Sequence, residues 1–402
     1  MTGISQTLNC SEICKNRTLK GLPVYNAGLG ANIIKQPEFY ISSLQYYSDK
    51  REYTSASGIP DLQNIIKDLF STKNYSVENV LVGNGLKELI YILQLSFKGK
   101  IIHITPSWVS YKEQINILNR KDDLIEIETK ISDNFKIDIE KLDQILEKNS
   151  KYNKLLLLNN PNNPTGLIYS KEQIINISKI LKKHNCIVLA DEIYFNLTHF
   201  NEISSISDYL PDLTIRGSSV SKDLGCGGYR VGWITFPKNL KSLFNICMAN
   251  SSSIYSCAPV PIQYATSEML KNKVLFKKHC DLNNKVYKLI VKRTCNILSN
   301  SNLIYIYPEA AWYMVLDFSN YKEKLNKLGI NDSIELSNYL IKNIGLVSVA
   351  GKYFNIDTLS IRISLISINN YSIDNRGNIT EETIFSHMEE GFNKLIIFVN
   401  NL

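Results

Sequence analysis

A lysine stands between a Ser-x-Ser and a glycine-rich loop in Ser219-Val220-Ser221-Lys222-Asp223-Leu224-Gly225-Cys226-Gly227-Gly228-Tyr229-Arg230, and an arginine follows eight residues later. A lysine amine attacks carbonyls well only when its pKa is depressed or its imine is already formed, so the residue needs a prepared setting. The small residues around it let backbone come close to a bound group, and Ser219 and Arg230 can grip a phosphate. Gly83-Asn84-Gly85-Leu86-Lys87-Glu88 offers a second anion site, where backbone N–H groups at the start of a helix are free to bind. Arg362 lies in the β-branched run Leu359-Ser360-Ile361-Arg362-Ile363-Ser364. An unpaired charge there is costly, and the planar guanidinium fork fits a carboxylate. Trp108, in Pro106-Ser107-Trp108-Val109-Ser110-Tyr111, is a flat aromatic that can stack on a ring.

These residues need elements to hold them. From Val80 the chain alternates short apolar runs with amphipathic segments. Val80–Val82, Ile101–Ile104, Leu124–Ile127, Leu155–Leu158, Ile187–Leu189, Thr214–Ile215 and Trp233–Phe236 read as strands. Gly85–Leu95, Tyr111–Leu118, Ile139–Glu147 and Ser170–His184 read as helices, the last opened by the capping box Ser170-Lys171-Glu172-Gln173. Pro60 and Asp61 suit the first turn of a helix running to about Lys73. Such alternation predicts a mostly parallel sheet covered on both faces, with ligands beyond the carboxyl ends of its strands. Residues 1–22 read as an extended arm, and Ser251–Gln263 as a Ser/Pro-rich crossing. A long helix is expected over Val274–Leu298. Beyond it come strands at Leu303–Ile306 and Trp312–Leu316, a helix over Ile334–Ile344, short strands near Val347 and Ile361, and a C-terminal helix over Glu381–Val399. Asn369–Thr380 reads as a surface insertion.

With 402 residues the chain can bury a large core in two domains. Its 44% hydrophobic and 21% charged content is that of a globular enzyme. The formal charge of +7 is spread among acidic neighbours, which argues against a nucleic-acid partner. The 8 cysteines contain no CxxC and no Cys/His ligand spacing, so reduced thiols in a cytoplasmic setting, and no metal, are expected. Met1–Lys20 is polar and lacks the apolar stretch of a secretory leader, and the apolar runs are too short to span a bilayer.

The lysine segment resembles the cofactor-lysine segment of the class I/II aminotransferases, fold-type I (aspartate aminotransferase-like) enzymes dependent on pyridoxal 5′-phosphate. Asn159-Asn160-Pro161-Asn162-Asn163-Pro164-Thr165-Gly166 resembles the family's Asn-Pro-x-Asn-Pro-Thr-Gly loop. Asp191-Glu192-Ile193-Tyr194 follows 28 residues after Asn163, and Lys222 another 31 residues on, in the family's order. The resemblance covers roughly residues 23–400. It implies a large α/β domain with a mixed seven-stranded sheet sandwiched by helices, over 51–273. It also implies a small α/β domain over 274–402, completed by residues 1–50. By the resemblance Lys222 holds the cofactor aldehyde as a Schiff base, Asp191 pairs with the pyridine nitrogen, and Asn163 and Tyr194 reach the 3′-oxygen. Trp108 stacks on the ring. Ser219, Arg230 and the amides of Leu86 and Lys87 take the phosphate. Leu86 departs from the family's small or hydroxylated residue, so a side-chain contact is lost there. Arg362 binds the substrate α-carboxylate, and Gly30, in Asn26-Ala27-Gly28-Leu29-Gly30-Ala31-Asn32, lies near it. Tyr53, in Tyr53-Thr54-Ser55-Ala56-Ser57-Gly58-Ile59-Pro60-Asp61-Leu62, reaches the phosphate of the neighbouring subunit, and Ser256 contacts the neighbouring site, so a homodimer is implied.

The implied activity is transfer of an α-amino group from an L-amino acid to a 2-oxo acid, within amino-acid metabolism. The same motifs would serve a C–S lyase, a decarboxylase or a cyclising synthase. A non-enzymatic protein keeping the fold is a further alternative, though no catalytic position is vacant. Ser251–Gln263 contains no arginine for a distal carboxylate, which points to a neutral or aromatic substrate side chain.

Overall fold

The computed structural model describes residues 6–199, 202–374 and 377–402, with side chains from residue 12 on. Its strands are β1 (Tyr25–Asn26), β2 (Asn79–Gly83), β3 (Lys100–Thr105), β4 (Leu124–Glu128), β5 (Lys154–Asn159), β6 (Ile187–Asp191), β7 (Thr214–Ser219), β8 (Gly232–Phe236), β9 (Tyr313–Asp317), β10 (Leu346–Val347), β11 (Val349–Ala350) and β12 (Ser360–Ser364). Seven of them form one sheet in the order β2-β8-β7-β6-β5-β3-β4. β8 runs antiparallel to both of its neighbours, and the other pairs are parallel.

The period of a strand explains why this sheet is buried on both faces. Leu155 and Leu157 join one cluster with Leu89, Leu93, Tyr111 and Phe244. Leu156 and Leu158 point the other way, to Ile174, Ile177 and Leu181. Burying each such leucine contributes about 1.5–3 kcal/mol, so a continuous apolar run is held more firmly here than an alternating one. The helix Lys171–Lys183 carries the expected capping box, with Ser170 and Gln173 each bonded to the other's backbone.

β1 pairs in parallel with β10, so an N-terminal strand is built into the C-terminal part of the chain. β11, β12 and β9 form a three-stranded antiparallel sheet. Trp312, Phe318, Phe385 and Phe392 fill a core between it and the helices Lys273–Leu298 and Ser386–Asn400.

Four expectations need correction. The N-terminal stretch is helical over Gln6–Leu19, because Ile13 and Cys14 find an apolar seat against Val24, Ile341 and Val347. Arg17 secures it by donating to the carbonyl of Lys342 at 2.6 Å. Leu303–Ile306 is not a strand: it makes only an isolated bridge, Ile304 to Asp317. Ser251–Gln263 is helical at its two ends, in Lys241–Ile254 and Val260–Lys271, and crosses between them only over 255–259. The C-terminal helix also breaks at Phe385, into Glu381–Ile384 and Ser386–Asn400.

Candidate active site

The parallel strands deliver the chemistry at their carboxyl ends. β7 ends at Ser219, whose hydroxyl accepts the amide of Ser221 at 3.1 Å and caps the short helix Val220–Asp223. That helix carries Lys222. The Lys222 amine is half-buried, donates to the carbonyl of Gly30, and lies 5.6 Å from the Tyr194 ring and 5.7 Å from that of Trp312.

β6 ends at Asp191, which is 4% exposed. Burial pushes its carboxyl up to about 6, against the Tyr111 hydroxyl, the Ile193 amide and the Lys222 charge, all of which favour the ionised form. One oxygen accepts from the Tyr111 hydroxyl, the other from the Ile193 amide at 3.2 Å. Tyr111 is held in turn by Trp108, edge-on at 5.3 Å, and burial keeps its phenol protonated. Trp108 is half-buried, with the Lys87 ammonium 5.1 Å from its ring.

β5 runs into the proline-rich loop. The Asn159 side chain takes the Asn163 amide at 2.8 Å and donates to the Asp191 carbonyl at 3.1 Å, tying the two strand ends together. Asn163 Oδ1 then accepts from Arg362 Nη1 at 3.4 Å. Arg362 stands on β12, 6% exposed. Its Nη2 donates to the carbonyl of Gly28, and its guanidinium lies 4.8 Å from the Tyr313 ring and 5.2 Å from Phe354. Arg362 Nε has no hydrogen-bond partner among the described residues. No carboxylate pairs with this arginine among them either, so an anionic ligand would be its natural partner.

Tyr313 joins the two halves. Its hydroxyl lies 2.9 Å from that of Tyr194 and 3.4 Å from the Gly30 carbonyl. With Tyr313 donating to Gly30, Tyr194 donates to Tyr313. Burial raises the Tyr194 phenol far above its ordinary range. Gly30 must be glycine, since a Cβ there would strike the Tyr313 hydroxyl. The carbonyl that meets Arg362 is that of Gly28; that of Gly30 faces Lys222 and Tyr313.

At the opposite end, Gly85 precedes the helix Leu86–Ser96 with a φ of +86°, and a Cβ on it would come 2.6 Å from Arg230 Nη2. The first amides of this helix, at Leu86 and Lys87, have no intrahelical acceptor. The Leu86 side chain is core, which accounts for its departure from a hydroxylated residue: it packs on Gly217, where a Cβ would meet its Cδ1 at 2.7 Å. Arg230 is exposed and adopts a left-handed φ of +57°. That conformation costs about 1–2 kcal/mol, offset by bonds to the carbonyls of Gly227 and Asn84, both at 2.7 Å. Gly85 and Gly232 bring these groups together: a Cβ on Gly232 would come 2.5 Å from the Leu86 amide nitrogen and 2.9 Å from Ser219 Cβ, as one on Gly85 would meet Arg230.

Tyr53 is 88% exposed and stands apart from this constellation. Ser256 is exposed, with a φ of +65°. Sequence reasoning assigned no role to Tyr111, Tyr313, Asn159 or Gly28. Tyr111 and Asn159 sat inside quoted motifs, one helical turn from Trp108 and four residues from Asn163. Tyr313 read only as part of a strand, and nothing local marked it.

The residues fit pyridoxal 5′-phosphate. A buried carboxylate, a lysine amine, two groups able to meet a ring oxygen, an aromatic and free helix-start amides beside an arginine occur at the carboxyl ends of the parallel strands and on the segments packed against them. Among the described residues no cluster of His, Cys, Asp and Glu could hold a metal ion. No helix among them is long and apolar enough to cross a membrane.

A family model described as aminotransferase class I and II matches residues 36–373. The asparagine–oxo-acid transaminase of Streptococcus mutans is 30% identical over 374 residues, covering 87% of this chain and 89% of that one. The probable aspartate/prephenate aminotransferase of Aquifex aeolicus is 26% identical, with the same coverage of 87% and 89%. Among solved structures, the aspartate aminotransferase of Thermus thermophilus with maleate superposes with a TM-score of 0.82 at 22% identity, over 98% of this chain and 100% of that one. That of Thermotoga maritima gives 0.82 at 23% identity, over 99% and 97%.

Proposed function

The chain belongs to the class I and II aminotransferases, and from that premise we propose that it uses pyridoxal 5′-phosphate, held by Lys222, to transfer an amino group from a neutral L-amino acid to a 2-oxo acid. The observation that carries this reading is one unbroken run of contacts from Lys222 through Tyr194 and Tyr313 to Arg362 and Asn163. The lysine and an arginine without a carboxylate partner thus belong to one contact network, which supports reading them as covalent anchor and carboxylate receptor.

Pyridoxal 5′-phosphate supplies an aldehyde for the amine and a ring that accepts the electron pair left on the α-carbon. Lys222 would carry that aldehyde, and Asp191 would hold a proton on the ring nitrogen. Asn163 and Tyr194 would meet the ring oxygen, with Trp108 against the ring face. Ser219, Arg230 and the amides of Leu86 and Lys87 would take the phosphate. Arg362 binds the substrate α-carboxylate and fixes which bond at the α-carbon faces Lys222. The free Lys222 amine would take the α-proton as a general base and return it as an acid.

Tyr53, Phe39 and Tyr46, at 88%, 39% and 77% exposure, form the surface we assign to a homodimer, in which Tyr53 and Ser256 serve the partner's site. We divide the chain at residues 50 and 273, with the helix Lys273–Leu298 opening the smaller domain. Seven cysteines, none in a disulfide among the described residues, support a reducing, cytoplasmic setting. Asparagine, acted on by the Streptococcus mutans relative, has a neutral side chain and fits the absence of arginine in Ser251–Gln263.

The test is a single half-reaction. With asparagine, other neutral and aromatic amino acids, and aspartate each supplied without an acceptor, the enzyme should release one equivalent of 2-oxo acid per site and stop. Continued turnover yielding ammonia or carbon dioxide would refute transamination. A preference for aspartate would refute the neutral donor.

A further inference from the structure

Behind the lysine segment, on the side of the large sheet that Glu192 faces, lies a cavity of about 160 Å³ lined by Phe70, Phe195, Asp223, Trp233, Leu270 and Phe276 among others. An apolar cavity of about 150 Å³ accepts a benzene-sized ring, so a small ring is within this one's capacity. Leu270 and Phe276 stand on either side of Asn272, where the helix Val260–Lys271 hands over to Lys273–Leu298. The half-buried Phe195 and Phe276 and the exposed Asn196 form a rim that gives a way in.

Most polar groups on the wall are satisfied. Arg216 donates through Nε and Nη2 to Glu192, at 2.8 and 2.7 Å, and through Nη1 to the Phe70 carbonyl at 2.7 Å. The other Glu192 oxygen accepts from Ser205 at 2.5 Å. Two groups are not satisfied. Asp223 Oδ1 and Trp233 Nε1 have no hydrogen-bond partner among the described residues, although their residues are 5% and 4% exposed. The second Asp223 oxygen is taken by Asn196 Nδ2 at 2.8 Å. An acceptor and a donor, each on a residue that lines the cavity, thus stand orphaned, where burial without a partner is costly.

Charge narrows the ligand further. The Arg216 guanidinium on the wall opposes a cation, and its partner Glu192 opposes an anion. Phe70, Phe195 and Phe276 offer flat or edge-on contact to a ring. We propose that this cavity is a second binding site, for a small, flat, uncharged heterocycle that donates one N–H to Asp223 Oδ1 and accepts at a ring nitrogen from Trp233 Nε1. The cavity borders the active site at Ser219, which lines both, but its orphaned atoms belong to neither the lysine nor the carboxylate contacts, and the proposal does not depend on the donor substrate assigned there.

The chain has 3 tryptophans, so the holoenzyme labelled with 5-fluorotryptophan gives three ¹⁹F signals, and Trp233→Phe identifies the one of interest. Pyrazole, uncharged at neutral pH, is the probe. It should shift the Trp233 signal saturably and leave those of Trp108 and Trp312 in place. Asp223→Asn should weaken this binding about tenfold. N-methylpyrazole, which lacks the N–H donor, should bind the unaltered enzyme about tenfold more weakly, a comparison that requires no variant to fold. An unmoved Trp233 signal, joint movement of all three signals, or equal binding of N-methylpyrazole would each overturn the proposal.

Discussion

Asp191 and Asp223 are two buried carboxylates, one whose charge Lys222 favours and one next to Lys222 in the chain, and burial pushes them up to about 6 and about 7. Their partners differ. Asp191 has both oxygens occupied, by the Tyr111 hydroxyl and the Ile193 amide, and Lys222 lies close enough to favour its charge. Asp223 has one oxygen on Asn196 and the other on nothing described. The first is therefore held as an anion able to face a cationic ring nitrogen. The second lines a chamber on the other side of the sheet. Burial alone does not make a carboxylate catalytic; the donors that fix its charge and direction do.

The sharpest way to break this contrast is to neutralise each group in turn. Asp191→Asn should lower kcat by roughly 10²–10³, the scale lost when one preorganised electrostatic partner of a reacting group is removed. Asp223→Asn should leave kcat within its original order of magnitude. Equal losses in steady-state assays would erase the distinction. Arg362→Lys keeps the charge but loses the fork. It should raise KM for the amino donor by roughly 10- to 100-fold, the value of a hydrogen bond to a charged group, with a smaller effect on kcat. Tyr111→Phe removes the hydroxyl that holds Asp191 down, so the acid limb of the pH–rate profile should move upward, with a roughly tenfold loss in kcat.

The smallest effect concerns stability. Asp223 titrates near 7 in the folded chain, whereas an unfolded aspartate titrates at about 3.9. Between these values the folded state keeps a proton that the unfolded chain has released. The contribution of Asp223 to stability therefore falls as pH rises toward 7. Thermal melts of the wild type and Asp223→Asn at pH 5 and pH 8 should show the variant gaining relative to the wild type at the higher pH.

Much of this was legible in the sequence because the large sheet is written in local signals. Leu155–Leu158 is a continuous apolar run, and Ser170 to Gln173 spells its own helix start. Lys222, Asn163 and Asp191 sit in strings whose turns place them at strand ends. The rest depended on contacts distant in the chain. The N-terminal helix is seated on Ile341 and Val347, more than 300 residues away, and no local periodicity announces that. Tyr313 acquires its place only when β9 brings it to Gly30 and Tyr194, and a lone aromatic in a strand reads simply as core. Asp223 carries no local signal either: its bond to Asn196 and its place on the cavity wall come from elements distant in the chain.

The central claim is that Lys222 carries the cofactor, and trapping tests it directly. The purified holoenzyme is reduced with borohydride, digested, and its peptides are mapped by mass spectrometry. The account predicts a phosphopyridoxyl group on the peptide containing Lys222, at one per chain, and none in Lys222→Ala, whose kcat should fall roughly 10²–10⁴-fold with loss of the acid–base group. A label on any other lysine, or no label on a fully active enzyme, would contradict it.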